Sequence, residues 1–201
     1  MINPYQITNY NRSIHELQEF LLFCIVVAGK TAHIQAKKLD EFLCSVNTRL
    51  MMPEKVLPFQ SLKSAYQHGI LLDEIKKAKL GQYNKIHSAF IYLIENPLDL
   101  KITCIYFLEK IPGVGKKTSR FFLLHSNSEY KNRIAILDTH ILKFIRENID
   151  SNAPKSTPSD TEKYCYWEDK FIYWCEANNK DVAEFDLEVW KSYARKPNYE
   201  N

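Results

Sequence analysis

The segment Leu108-Glu109-Lys110-Ile111-Pro112-Gly113-Val114-Gly115-Lys116-Lys117-Thr118-Ser119 constrains this chain more than any other. Two glycines flanking one apolar residue let the backbone reverse tightly between two helices, because glycine reaches dihedral angles closed to other residues. Val114 can then tuck inward, while the amides around Gly113 and Gly115 face outward at the start of the next helix. Exposed amides at a positive helix end suit a phosphate oxygen. Such a contact holds a duplex in place without reading its sequence. The competing reading is an ordinary corner between helices with a glycine stop. The whole string Pro112 to Thr118, set between apolar helices, weighs toward DNA.

The rest of the chain fits helices. Five glycines and eight prolines in 201 residues are few for an all-β protein built on tight turns. Ser13-Ile14-His15-Glu16 has the spacing of a capping box and opens a helix running toward Ala28, with Gly29 as its stop. A second helix follows Thr31, with Leu39, Phe42, Leu43 and Val46 on one face. Short helices are expected over 61–67 and up to about Lys79. Ile86, Ala89, Phe90, Leu93 and Ile94 give another, stopped by Asn96-Pro97. A helix over 101–110 leads into the hairpin. Only 133–137 resembles a strand. Residues 148–160, rich in Ser, Pro, Asn and Asp, read as a linker before helices near 161–177 and 181–194. The expected fold class is all-α.

Composition narrows the function classes only a little. Apolar residues make up 45% and aromatic residues 13%, as in folded rather than disordered chains. The net charge of +3 is compatible with nucleic acid without demanding it. Any phosphate-binding surface must come from clusters such as Lys76, Lys77 and Lys79, or Lys116, Lys117 and Arg120. The cysteines, Cys24, Cys44, Cys104, Cys165 and Cys175, include no closely spaced pair of the zinc or redox type. His125 and His140 lack companions at ligand spacing, so no metal site is expected. The apolar run from Phe20 to Gly29 is too short to span a bilayer. A reducing compartment inside the cell follows: cytoplasmic and nucleoid-associated in a prokaryote, nuclear otherwise.

Two motifs carry a family resemblance. Leu108 to Thr118 resembles the helix-hairpin-helix of the endonuclease III and 8-oxoguanine glycosylase superfamily. Ala135-Ile136-Leu137-Asp138-Thr139-His140-Ile141 resembles the glycine/proline-rich and aspartate motif that follows it. The resemblance implies the two-domain fold of that superfamily, with a DNA-binding groove between a helical barrel and a domain built from the chain ends. On this chain the barrel would be 14–126, with the hairpin element at 101–126. Residues 1–13 plus 127–201 would form the second helical domain, carrying the aspartate.

The resemblance also assigns roles. In members that both excise a base and cut the strand, a lysine stands two positions after the second hairpin glycine, which here is Lys117. The family's aspartate falls on Asp138. The chemistry asks for these same residue types: an amine attacks the sugar C1′ and becomes a Schiff base, and a carboxylate stabilises the positive charge developing on the sugar. Adjacent helical residues point about 100° apart, so Lys116 and Lys117 cannot both face one pocket. Endonuclease III and the adenine glycosylases of the superfamily usually hold a four-cysteine iron–sulfur cluster after the last helix. Here only Cys165 and Cys175 follow the aspartate, so no cluster and no other cofactor is expected. That turns the resemblance toward the cluster-free branches, among them the 8-oxoguanine enzymes, and Phe185 to Trp190 is weakly similar to their archaeal-type C-terminal helix.

The expected partner is double-stranded DNA holding a damaged base, bound by a monomer. Gly113, Val114, Gly115, Lys116 and Thr118 would hold the backbone. Lys30 and Gln82 sit in two further loops expected to touch the duplex. A flipped base needs ring faces to stack on. Trp167, Phe171 and Trp190 are candidates, although Trp167 and Phe171 also follow helical core spacing. Asp138 ahead of Thr139 could equally be a simple N-cap. Besides 8-oxoguanine excision, two readings stay open: an oxidised-pyrimidine glycosylase of the endonuclease III type, and a DNA-binding module without catalysis.

Overall fold

A computed structural model of the chain describes residues 2–53 and 55–193. The α-helices are α1 (Ile14–Val27), α2 (Ala32–Arg49), α3 (Pro58–Gln67), α4 (Leu71–Lys77), α5 (Tyr83–Glu95), α6 (Ile105–Leu108), α7 (Lys116–Ser126), α8 (Thr139–Asn148), α9 (Thr161–Ala177) and α10 (Val182–Tyr193). A 3₁₀ turn covers Ser128–Tyr130. The chain divides into two compact units, Met1–Ser126 and Asn127–Asn201. The helix expected over 181–194 ends at Tyr193, and Ala194 lies outside the described residues.

The first unit is organised around α1. Both bonds of its capping box form: the Ser13 hydroxyl accepts the Glu16 amide, and the Glu16 carboxylate accepts the Ser13 amide at 2.8 Å. Every residue from Phe20 to Val26 is buried. A helix that is apolar all round must be enclosed, and α2, α3, α5 and α7 pack against this one. Gly29 then ends the element at φ +71°, a left-handed conformation that favours glycine. Glu74 ties α4 to α2: its buried carboxylate accepts Ser45 Oγ and Arg49 Nη1, each at 2.7 Å.

The N-terminal arm belongs to this unit, where the sequence reading had grouped residues 1–13 with the second half. Arg12 and its neighbours in the arm hold it there. Arg12 donates to the carbonyls of Ile7, Asn9 and His125, and its guanidinium stacks 4.1 Å from the Phe20 ring centroid. Burial lowers the Arg12 pKa from its ordinary value, and the field of nearby acidic groups opposes that shift. The Thr8 hydroxyl and the His125 ring add a bond of 2.8 Å.

The second unit packs α10 against α8 and α9 around Phe144, Phe171, Trp174 and Phe185. Two expectations change here. Arg133 lies in a turn, and 134–137 carry no regular structure and pair with no strand among the described residues. Residues 148–160 are no free linker. Ala153 is buried, Lys170 pairs with Asp150, Arg146 donates to the Pro154 carbonyl, and Thr157 donates to the Leu137 carbonyl. Polar loop composition signals only the lack of regular structure, and specific side chains fasten this loop in place. In the first unit, the helix expected over 101–110 shrinks to Ile105–Leu108, preceded by an extended Cys104.

Candidate active site

Gly113 adopts φ +79°, and Val114 is buried with its amide donating to the Ile111 carbonyl at 2.9 Å. The turn therefore uses the Val114 amide itself, and the Val114 side chain is packed inward. Gly115 is exposed, and the first helical bond of α7 runs from the Ser119 amide to its carbonyl. The amides of Lys116, Lys117 and Thr118 lie ahead of that bond, at the positive end of an eleven-residue helix. The Thr118 side chain is turned inward, so only its main chain remains at this end.

Glu109 locks the hairpin closed. Its carboxylate accepts Ser119 Oγ at 3.0 Å and Arg120 Nη1 at 3.2 Å, while both donors also reach the Lys116 carbonyl. The first turn of α7 is thus fixed from both sides of the corner. Lys117 rises from this rigid turn half-buried, and its amine has no hydrogen bond or ion pair among the described residues.

Asp138 is reached by a different construction. Ile134, Ala135, Ile136 and Leu137 are all buried, although no neighbouring strand takes their main-chain bonds. Side chains take four of them, and the Ile136 carbonyl accepts the Asp138 amide at 2.7 Å. The Ala135 amide donates to Glu168 Oε1 at 2.8 Å, and the Leu137 amide donates to the Tyr164 hydroxyl at 3.0 Å. That hydroxyl donates in turn to the Ala135 carbonyl, and Thr157 Oγ1 donates to the Leu137 carbonyl at 2.6 Å. Asp138 then caps α8, with Oδ1 accepting the His140 and Ile141 amides at 2.8 and 2.9 Å. One carboxylate oxygen is committed to the helix. Oδ2 has no hydrogen-bond partner among the described residues, so the cap leaves a carboxylate edge aimed in a set direction.

The two outer loops meet. Lys30 donates to the Val26 carbonyl at 3.0 Å and to the Leu80 carbonyl at 2.6 Å, which straps the turn after α1 to the loop before α5. Burial lowers the Lys30 pKa from its ordinary value, and the fields of Lys38 and Lys85 add to that. Its amine is thus spent inside the fold. Gln82, by contrast, caps α5 in a left-handed conformation at φ +45°, with its side chain exposed and making no cap bond. A glutamine held there costs about 1 kcal/mol relative to glycine.

Of the three rings suggested for a base, Phe171 is excluded. It is fully buried, stacked on Phe185 at 5.9 Å and edge-on to Phe144 at 6.0 Å, so the core of the second unit fills its surroundings. Trp167 is 9% exposed and lies edge-on to Tyr166. Trp190 is half-buried. No group of three or more His, Cys, Asp or Glu side chains suited to a metal ion occurs among the described residues. No helix among them is long and apolar enough to cross a membrane. Sequence reasoning missed the roles of Glu109, which holds the hairpin turn, and of Tyr164 and Glu168, which hold the segment before Asp138. Glu109, one residue into the hairpin motif, was the only one of these with a local signal.

Comparison with known proteins places this geometry. The curated proteins hold no significant match. Among solved structures, the chain superposes on the 8-oxoguanine glycosylase/lyase of Methanocaldococcus jannaschii in complex with a 15mer DNA containing 8-oxoguanine. The TM-score is 0.63 and the identity 22%, over 95% of this chain and 87% of that one. The 8-oxoguanine DNA glycosylase of Thermotoga maritima gives a TM-score of 0.62 at 18% identity, over 96% and 86% of the two chains. These likenesses establish a shared all-helical fold. The sequence model of the 8-oxoguanine DNA glycosylase family (Ogg-HhH) matches residues 1–180, which include the hairpin, Lys117, Asp138 and the residues that hold them. The chain belongs to the 8-oxoguanine DNA glycosylase family.

Proposed function

We propose that this chain excises 8-oxoguanine from duplex DNA and cuts the strand at the resulting abasic site, with Lys117 as nucleophile and Asp138 as electrostatic partner. Deprotonated Lys117 Nζ attacks C1′, the glycosidic bond breaks, and the base leaves with its bonding electron pair and takes up a proton. The second proton on the nitrogen is lost as the sugar ring opens, giving a Schiff base. Loss of a C2′ proton then expels the 3′ phosphate, and water releases the lysine. Asp138 stabilises the positive charge that develops on the sugar as the base departs.

The observation that carries this reading is the Lys117 amine, left without a partner on a turn that Glu109, Ser119 and Arg120 hold rigid. Structural lysines spend their amines, as Lys30 does. The free amides of the hairpin favour a backbone phosphate next to that amine, and exposed, strained Gln82 suits contact with the opened stack. The partner is double-stranded DNA bound by one copy of the chain, in the compartment that holds the chromosome.

Borohydride trapping on a duplex with a single 8-oxoguanine tests the reading. The native chain gives a covalent adduct and a nicked strand, and Lys117→Gln gives neither. Trapping only on oxidised pyrimidines would reassign the substrate. Binding without an adduct on any lesion would leave a DNA-binding module.

A further inference from the structure

We infer that Lys85, on α5, is a phosphate-binding residue of the hairpin: its stem lies across Gly113, in the turn that leads to the hairpin amides. This rests on the reading that the hairpin grips a DNA backbone.

Gly113 carries the argument. Its φ of +79° favours glycine, and the face left open by the missing side chain is where the Lys85 stem lies. A Cβ built there would lie 2.2 Å from Lys85 Cε, 2.7 Å from Cγ and 2.9 Å from Cδ. The lysine stem therefore rests where a side chain at 113 would begin, and the ammonium, one bond beyond Cε, sits next to the turn. The hairpin glycine admits a cation from a helix 28 positions upstream (113 − 85). The motif string alone contains no trace of this lysine.

Two lysines that share its surroundings are spent. Lys30 is held by the Val26 and Leu80 carbonyls, and Lys38 donates to the Lys79 carbonyl at 2.9 Å. Lys85 is exposed, with no hydrogen bond, ion pair or ring contact among the described residues. Lys30, Lys38 and Lys85 lie close enough for the latter two to depress the Lys30 pKa, second to its burial. None of the three is in an ion pair with a carboxylate among the described residues. Gathering like charges without a counter-charge costs energy unless an anion from outside joins them. A nucleic-acid phosphate, bound by hairpin amides on one side and Lys85 on the other, meets that need.

Salt-dependent binding to an undamaged duplex tests this directly. Lys85→Met keeps the stem over Gly113 and removes the charge. The plot of log affinity against log salt should lose about one phosphate contact, a slope change of about 0.9. Lys85→Arg should restore the native slope, and Lys163→Met, an exposed lysine on α9, should leave it unchanged. A native slope in Lys85→Met overturns the inference, whatever happens to its melting temperature. So does an equal loss in Lys163→Met. Borohydride trapping by the native chain reports separately on the glycosylase reading, so either claim can fail while the other stands.

Discussion

The hairpin that carries Lys117 and the irregular segment that carries Asp138 solve one problem in two ways. Each brings a proposed site residue to the start of a helix on a backbone held by side-chain bonds. The hairpin does so locally, through glycine dihedrals and the bonds of Glu109 to Ser119 and Arg120, ten and eleven residues away. The segment 134–137 does so remotely. It borrows Thr157, Tyr164 and Glu168 from positions 20, 27 and 33 residues removed from their partners. Local construction leaves a recognisable string in the sequence, and remote construction leaves a short apolar run with no visible reason to hold still.

The sharpest break in the comparison removes the chemistry and spares both scaffolds. Lys117→Gln should abolish borohydride trapping and slow base excision by roughly a thousandfold or more. Stability should stay within about 0.5 kcal/mol, because the side chain has no partner to lose. Chemical denaturation beside single-turnover excision checks both halves. A comparable loss of stability would mean that Lys117 is structural.

Next comes the aspartate, where cap and charge can be separated. Asp138→Asn keeps an acceptor for the His140 and Ile141 amides and removes the charge, so excision should fall roughly 10²- to 10³-fold with little loss of stability. Asp138→Ala should cost about 1 kcal/mol more in stability. Equal stability in the two variants would show that the cap contributes nothing.

The scaffolds themselves should respond unequally. Tyr164→Phe strands the Leu137 amide and the Ala135 carbonyl inside the second unit, a cost of about 2–3 kcal/mol. Glu109→Gln removes the charge facing the buried Arg120 but keeps an amide oxygen to accept Ser119 and Arg120, and should cost only about 1 kcal/mol. The first should lower the excision rate at saturating enzyme, through a displaced Asp138. The second should mainly weaken duplex affinity, through a loosened turn. If both variants changed the same kinetic constant, the two constructions would not be independent.

The smallest effect lies in the acid limb of stability. Burial pushes the Glu74 carboxyl upward, but the hydrogen bonds from Ser45 and Arg49 and the charge of Lys77 outweigh it, so its pKa ends below the ordinary value. Asp150 is also lowered, chiefly by its bond from Lys170. A carboxylate with a depressed folded pKa contributes stability above its unfolded pKa, and that contribution is lost as pH falls through the folded value. Melting temperature should therefore decline below about pH 4. Glu74→Gln should flatten the decline more than Asp150→Asn, because Glu74 is the more deeply buried of the two.

Much of this was legible beforehand. The capping box at Ser13, the stops at Gly29 and Asn96, and the hairpin at 111–115 are short-range patterns whose physics acts within a few residues. The reading failed where distant side chains decide. Arg12 ties residues 1–13 to the first unit through carbonyls and a phenylalanine face that no local pattern announces. The loop 148–160 looked like a tether because polar composition does not reveal that Thr157 and Asp150 are bonded. Phe171 had the spacing of both a core residue and a stacking platform, and its packing on Phe185 decided for the core.

By itself the sequence determined an all-helical chain, the hairpin, the order of Lys117 before Asp138, and through them the family. Each of these depends on glycine dihedrals, helix caps and spacing, which act between near neighbours. Only the tertiary structure decided which amines are spent and which are free. Lys30 and Lys38 give theirs to main-chain carbonyls, Lys117 keeps its own, and Lys85 lies over Gly113 from a helix far upstream. Lysines are alike in a sequence, and they differ only in what the fold brings within reach of the ammonium.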